Sequence, residues 1–258
     1  MGFTIGTSLL ALGLFLGILL FLEVGRRIGI RRVAKDPAGV RAGIGAFESA
    51  IFGLLGLLIA FTFSGAADRF DSRRHLIAEE ANAIGTAYLR LDLLPAAAQP
   101  AIRESFRRYL DSRLEVYRKL PDIQAAQQEL ARSGALQAEI WKQAVTACRE
   151  PGMQQATMLL LPALNQMIDI TTTRTMAARI HPPLIIPGML VALTLVSGLL
   201  AGYGMAGART RSWLHMIGFA VTLSLAVFVI LDLEYPRMGF IRVDAADQVL
   251  VELRESMK

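Results

Sequence analysis

The sequence predicts an all-α integral membrane protein with four transmembrane helices and a helical extramembrane domain inserted between helices 2 and 3. Three observations predict it. Of the 258 residues 53% are apolar and only 19% are charged, below the usual quarter, and mean hydropathy is +0.44. The apolar residues gather in four runs of about 20, the length needed to cross a bilayer core. Between the second and third runs lies a long stretch of good helix formers, Ala, Leu, Gln, Arg and Glu, punctuated by prolines. The expected organisation is residues 1–66 for helices 1 and 2, 67–181 for the helical domain, 182–235 for helices 3 and 4, and 236–258 for a tail.

The first run, Phe3–Leu22, carries no charge. It lacks a basic start and a small-residue cleavage site and is followed by GRRIGIRR, so it reads as a retained helix rather than a signal peptide. The second, Ile44–Ala66, holds one charge, Glu48. The third, Leu184–Ala206, has Pro187 in its first turn, where proline costs least. The fourth, Trp213–Leu233, is flanked by Trp213 and Tyr235, whose amphipathic rings suit the membrane interface.

Charge placement bears on orientation. The first connection has Arg26, Arg27, Arg31, Arg32, Lys35 and Arg41 against Glu23 and Asp36, and the third has Arg209 and Arg211 without an acid. The positive-inside rule puts both in the cytoplasm and the middle domain outside, in a periplasm if there is one. The net charge of +5 is thus a topology signal rather than a nucleic-acid surface. Residues 67–180 carry fifteen cations and thirteen anions, a balance that argues against a nucleic-acid partner. Cys148, the single cysteine, forms no intramolecular disulfide and reads as a small buried apolar residue.

In the middle stretch no break interrupts the chain from Ala60 to Leu94, so one helix is expected to leave the membrane and continue until Pro95. Further helices are expected from Pro100 to about Leu120, from Asp122 to about Arg149, and from Met153 to Ile180 with a kink at Pro162. No Gly-rich phosphate loop, HExxH, CxxC or GxSxG occurs. Asp71, His75 and Glu79 share a helical face but read as an ion-pair ladder on a wet surface. No enzyme activity, cofactor or metal is expected.

The second run carries two stripes at helical spacing. Gly45, Ser49, Gly53, Gly56, Ala60 and Ser64 are all small, and small residues let helices approach closely in lipid. Glu48, Phe52, Ile59 and Phe63 form a neighbouring stripe. They either face lipid and a helix bundle, or ring an axis as an apolar neck, Phe52, Ile59 and Phe63, with Glu48 at the pore mouth. On the wet end Glu79, Asn82, Thr86 and Arg90 either bond to neighbouring helices or line a vestibule.

RFDSRRHLIAEEANAIGTAYLRLDLLP and the later DLEYPRMGFIRVD resemble the signature of a bacterial bestrophin-like membrane family, first described as a domain of unknown function. The resemblance covers nearly the whole chain. It implies kinship with bestrophins, homopentameric anion channels whose second membrane helix lines the pore with a neck of bulky apolar residues. By that resemblance the partners are other copies of the chain, as a pentamer, together with permeant ions and the lipid of a bacterial inner (plasma) membrane. Bestrophins keep their helical domain in the cytoplasm, opposite to the side the charge count favours. The acids of DLEYPR, Asp232 and Glu234, are expected to pair with the adjacent arginine rather than bind calcium. A homo-oligomeric ion channel is the leading reading. A non-conducting membrane scaffold or sensor whose helical domain binds a partner is the alternative.

Overall fold

The computed structural model describes residues 2–35, 44–207 and 211–257. Among these residues eight α-helices follow one another: α1 Gly2–Lys35, α2 Ile44–Leu89, α3 Gln99–Arg118, α4 Ile123–Cys148, α5 Gln154–Arg179, α6 Ile185–Gly204, α7 Trp213–Glu234 and α8 Gln248–Ser256. No strand occurs among the described residues. Asp36, Arg41 and Arg209, three of the charges behind the orientation reading, lie outside them.

The chain separates into two units. The first comprises residues 1–68, 181–235 and 239–241; the second comprises 69–180, 236–238 and 242–258. Among the described residues the first contains four helices long and apolar enough to cross a membrane. Only 11% of the most apolar window of α2 is buried within the chain, against 28% for α6 and α7. A surface that apolar belongs against lipid or other protein rather than water.

One of these helices is longer than expected. The α1 helix continues past Leu22 to Lys35. Its arginines are good helix formers and no proline intervenes before Pro37, so residues 23–35, which carry most of the basic charges, are helical. The α1–α6 packing brings the two backbones into close contact. A Cβ on Gly25 would overlap the Leu199 carbonyl, and one on Gly202 would overlap the Leu22 carbonyl. Gly25 and Gly29, like Gly198 and Gly202, stand four apart, the small-xxx-small pattern of tight crossings in lipid.

The second unit is a helical bundle built on the wet portion of α2 with α3, α4, α5 and α8. A 3₁₀ turn, Arg90–Leu93, finishes α2 before Pro95. Pro100 lies in the first turn of α3, where its missing N–H costs nothing. Asp122 caps α4 by accepting from the Ala125 N–H at 3.0 Å. Helix α5 runs through Pro162 to Arg179, and Arg73 donates to the carbonyls of Ala177 and Ile180 at its end. The core gathers Ile77, Ile84, Phe106, Tyr109, Leu110, Ile140, Leu160, Leu164 and Met167. The tail contributes to it. Leu250 of α8 is fully buried, and Arg254 makes a two-pronged bond to Asp111 of α3 at 2.7 and 3.1 Å.

Candidate functional site

The membrane portion of α2 has two dissimilar sides. Leu55 and Ala66 are buried, and Ile51, Phe52, Leu58, Ile59 and Thr62 are half-buried. At 100° per residue these fall on one face. Phe52 makes an edge-on contact with Phe219 of α7, centroids 6.4 Å apart and planes at 71°. Glu48 lies on the same face. Its carboxylate sits beside Gly204 at the end of α6, and a Cβ there would stand 3.4 Å from Oε2. Glu48 Oε1 is enclosed with no hydrogen-bond partner among the described residues.

The small-residue stripe points away from that face. Gly45, Ser49, Gly53, Gly56, Ala60 and Ser64 are all exposed, and a Cβ on Gly45, Gly53 or Gly56 would meet nothing within 4 Å. Among the described residues the stripe therefore packs on no helix of its own chain. Phe63, 46% exposed, borders this open side. The four residues of the bulky stripe are thus divided: Glu48, Phe52 and Ile59 turn toward the chain's own helices, and Phe63 turns outward.

On the wet portion of α2, Glu79, Asn82 and Thr86 are exposed. Arg90 is not free alongside them; it donates to the Leu159 carbonyl of α5. Glu80, one residue from Glu79, faces the bundle interior and has no exposure.

Glu80 opens a run of buried charge. Arg113 of α3 donates to Glu80 Oε1 at 2.5 Å, and Arg174 of α5 donates to Oε2. Arg174 also reaches Asp247 at 3.0 Å, which binds Arg237 at 2.9 Å. Arg237 reaches Asp244 at 3.1 Å, and Asp244 takes Arg242 at 2.5 Å. Tyr117 stands at the centre, with the guanidiniums of Arg174, Arg237 and Arg113 at 4.0, 4.5 and 5.4 Å from its ring. Buried cations over an aromatic face are held by the ring quadrupole as well as by their carboxylates. Beside this run, burial pushes the Tyr109 hydroxyl up to about 12. Its oxygen bonds Thr171 at 2.9 Å and Gln137 at 3.1 Å.

Sequence reading missed this cluster, yet a signal exists. Ile77, Glu80 and Ile84, then Phe106, Tyr109, Leu110 and Arg113, then Leu164, Met167, Thr171 and Arg174 each recur at helical spacing and are buried together. A charge in phase with an apolar stripe is a charge brought inside.

In the DLEYPR segment the arginine, Arg237, pairs with Asp244 and Asp247 further along the tail. Asp232 is fully buried and accepts the backbone N–H groups of Phe240 at 2.9 Å and Ile241 at 2.7 Å. Glu234 lies 3.6 Å from His181, whose ring stacks on Tyr235 at 4.6 Å. No group of three potential metal ligands occurs among the described residues.

A family model described as a Bestrophin-like domain matches residues 12–247. A crystal structure of a point variant of a bacterial Bestrophin homolog from Klebsiella pneumoniae aligns with TM-score 0.70 at 16% identity, over 94% of this chain and 99% of that one. A second structure of a bacterial Bestrophin homolog from Klebsiella pneumoniae, phased by Zn-SAD, gives TM-score 0.67 at 16% identity over 92% and 97% of the two chains. At this identity the likeness is one of fold. No curated protein sequence matches.

Proposed function

The chain belongs to the bestrophin-like family, and from that premise we propose that it assembles into a homo-oligomeric ion channel whose pore is lined by α2. The observation that carries the proposal is the open side of α2. Within a span only 11% buried by its own chain, every small residue of the stripe is exposed. Copies of α2 brought together around an axis would cover or share that surface. Of the neck candidates Phe52, Ile59 and Phe63, the outward-turned Phe63 forms the constriction, and the half-buried Phe52 and Ile59 pack behind it. Glu48 contributes charge at the mouth, and Glu79, Asn82 and Thr86 line the vestibule. The pentameric count, the inner-membrane location and the cytoplasmic side of the helical unit follow family likeness. The cations flanking the short connections favour the opposite side.

The neck works by geometry. A narrow apolar constriction excludes water, and ions cross it only when it widens. Replacing Phe63 by alanine is expected to raise single-channel conductance of purified protein in planar bilayers at least severalfold, whereas Phe52→Ala, whose ring packs on Phe219, changes it less. Absence of current under every salt and voltage would instead favour the scaffold reading.

A further inference from the structure

The run of charge from Glu80 to Arg242 ends at an open cleft of about 350 Å³ lined by three arginines, Arg118, Arg237 and Arg242, two acids, Asp244 and Asp247, and by Tyr117 and Gln248 among others. All of these residues belong to the second unit. We propose that this cleft binds a small polyanion bearing phosphate or carboxylate groups.

Three features carry the inference. First, the alternating network is one anion short. Among the described residues Arg113, Arg174, Arg237 and Arg242 are joined by three carboxylates, Glu80, Asp247 and Asp244. Second, the surplus cannot be hydrated freely along most of its length. Arg113 has a fully buried side chain, and the side chains of Arg174 and Arg237 are only 5% and 15% exposed. A positive surplus in a low-dielectric setting is stabilised by an anion that completes the alternation. Third, the network emerges where an anion could be gripped. Arg242 is half exposed, and Arg118, 61% exposed, lines the same cleft. The guanidinium is the side chain suited to two-pronged recognition of phosphate and carboxylate. Arg118 pairs with Glu115 at 2.9 Å, an exposed i,i+3 contact that holds it weakly. The cleft is large enough for a small ligand, and Gln248 adds a side-chain amide at the first turn of α8, where the helix dipole favours negative charge.

The test uses the full chain in nanodiscs of zwitterionic lipid, titrated calorimetrically with pyrophosphate and with citrate at constant ionic strength. Saturable binding of one ligand per chain is expected for at least one of them. Pyrophosphate alone identifies a phosphate ligand, and citrate alone a polycarboxylate. The Arg118→Gln, Arg242→Gln double variant is expected to weaken that binding about tenfold or more while keeping the wild-type thermal transition. Should the double variant lose that transition, Arg118→Gln alone repeats the comparison. Failure of both ligands to saturate the wild type overturns the proposal, and so does wild-type affinity in a folded variant.

Discussion

Glu80→Gln isolates the energetics of the buried charge. The substitution keeps the side-chain shape and removes the one carboxylate that Arg113 and Arg174 share. Both arginines then lose their shared counter-ion where there is no water to replace it: the side chain of Arg113 is 0% exposed and that of Arg174 is 5%. Arg113 has little reserve, since its Nη1 already lacks a partner among the described residues. Breaking a buried pair from one side costs about 3–5 kcal/mol. For a unit of this size, about 2–4 °C of Tm accompanies each kcal/mol, so the transition is expected to fall by about 6–20 °C. Far-UV circular dichroism of the full chain in a fixed detergent reads it, with Trp141 of α4 as a local fluorescence reporter beside the core. The double variant Glu80→Leu, Arg113→Leu is expected to recover most of the loss, because replacing a buried pair with apolar groups is often neutral or stabilising. A drop below about 2 °C for Glu80→Gln would refute the reasoning.

Three further outcomes follow from other parts of the molecule. Gly202→Leu drives a side chain into the Leu22 backbone and is expected to lower thermal stability or yield sharply, as overpacking costs about 1–3 kcal/mol even before main chain must move. Gly53→Leu meets nothing in its own chain; it should leave helicity intact and change the oligomer mass measured by light scattering. Glu129 accepts bonds from Lys119 at 2.5 Å and Ser112 at 2.8 Å, and these hold its carboxyl below the ordinary value of 4.5. Its stabilising contribution is therefore complete above pH 4.5 and is lost as pH falls through the lower folded-state value. Glu129→Gln is expected to flatten the acid limb of Tm against pH between 2.5 and 5, roughly the range in which carboxylates titrate; an unchanged limb would contradict this.

Sequence alone determined the helices and their division into apolar and polar runs. A bilayer leaves no partner for backbone N–H and C=O groups except within a helix, so length and hydropathy suffice to place a span. The prolines and Asp122 marked the helix ends for local reasons that need no tertiary information. Sequence could not decide which face of α2 is open. Both stripes are compatible with a helix in lipid, and only the packing of Phe52 on Phe219 and of Glu48 beside Gly204 separated them. Nor could it assemble the charge cluster. Glu80 meets Arg113 and Arg174 across 33 and 94 residues of chain, and the arginine of DLEYPR finds its carboxylates further along the tail, at Asp244 and Asp247. Helical periodicity says that such a charge points inward. Which opposite charge meets it is set by how four helices and a tail close around one core, and that closure is a property of the folded unit rather than of any segment within it.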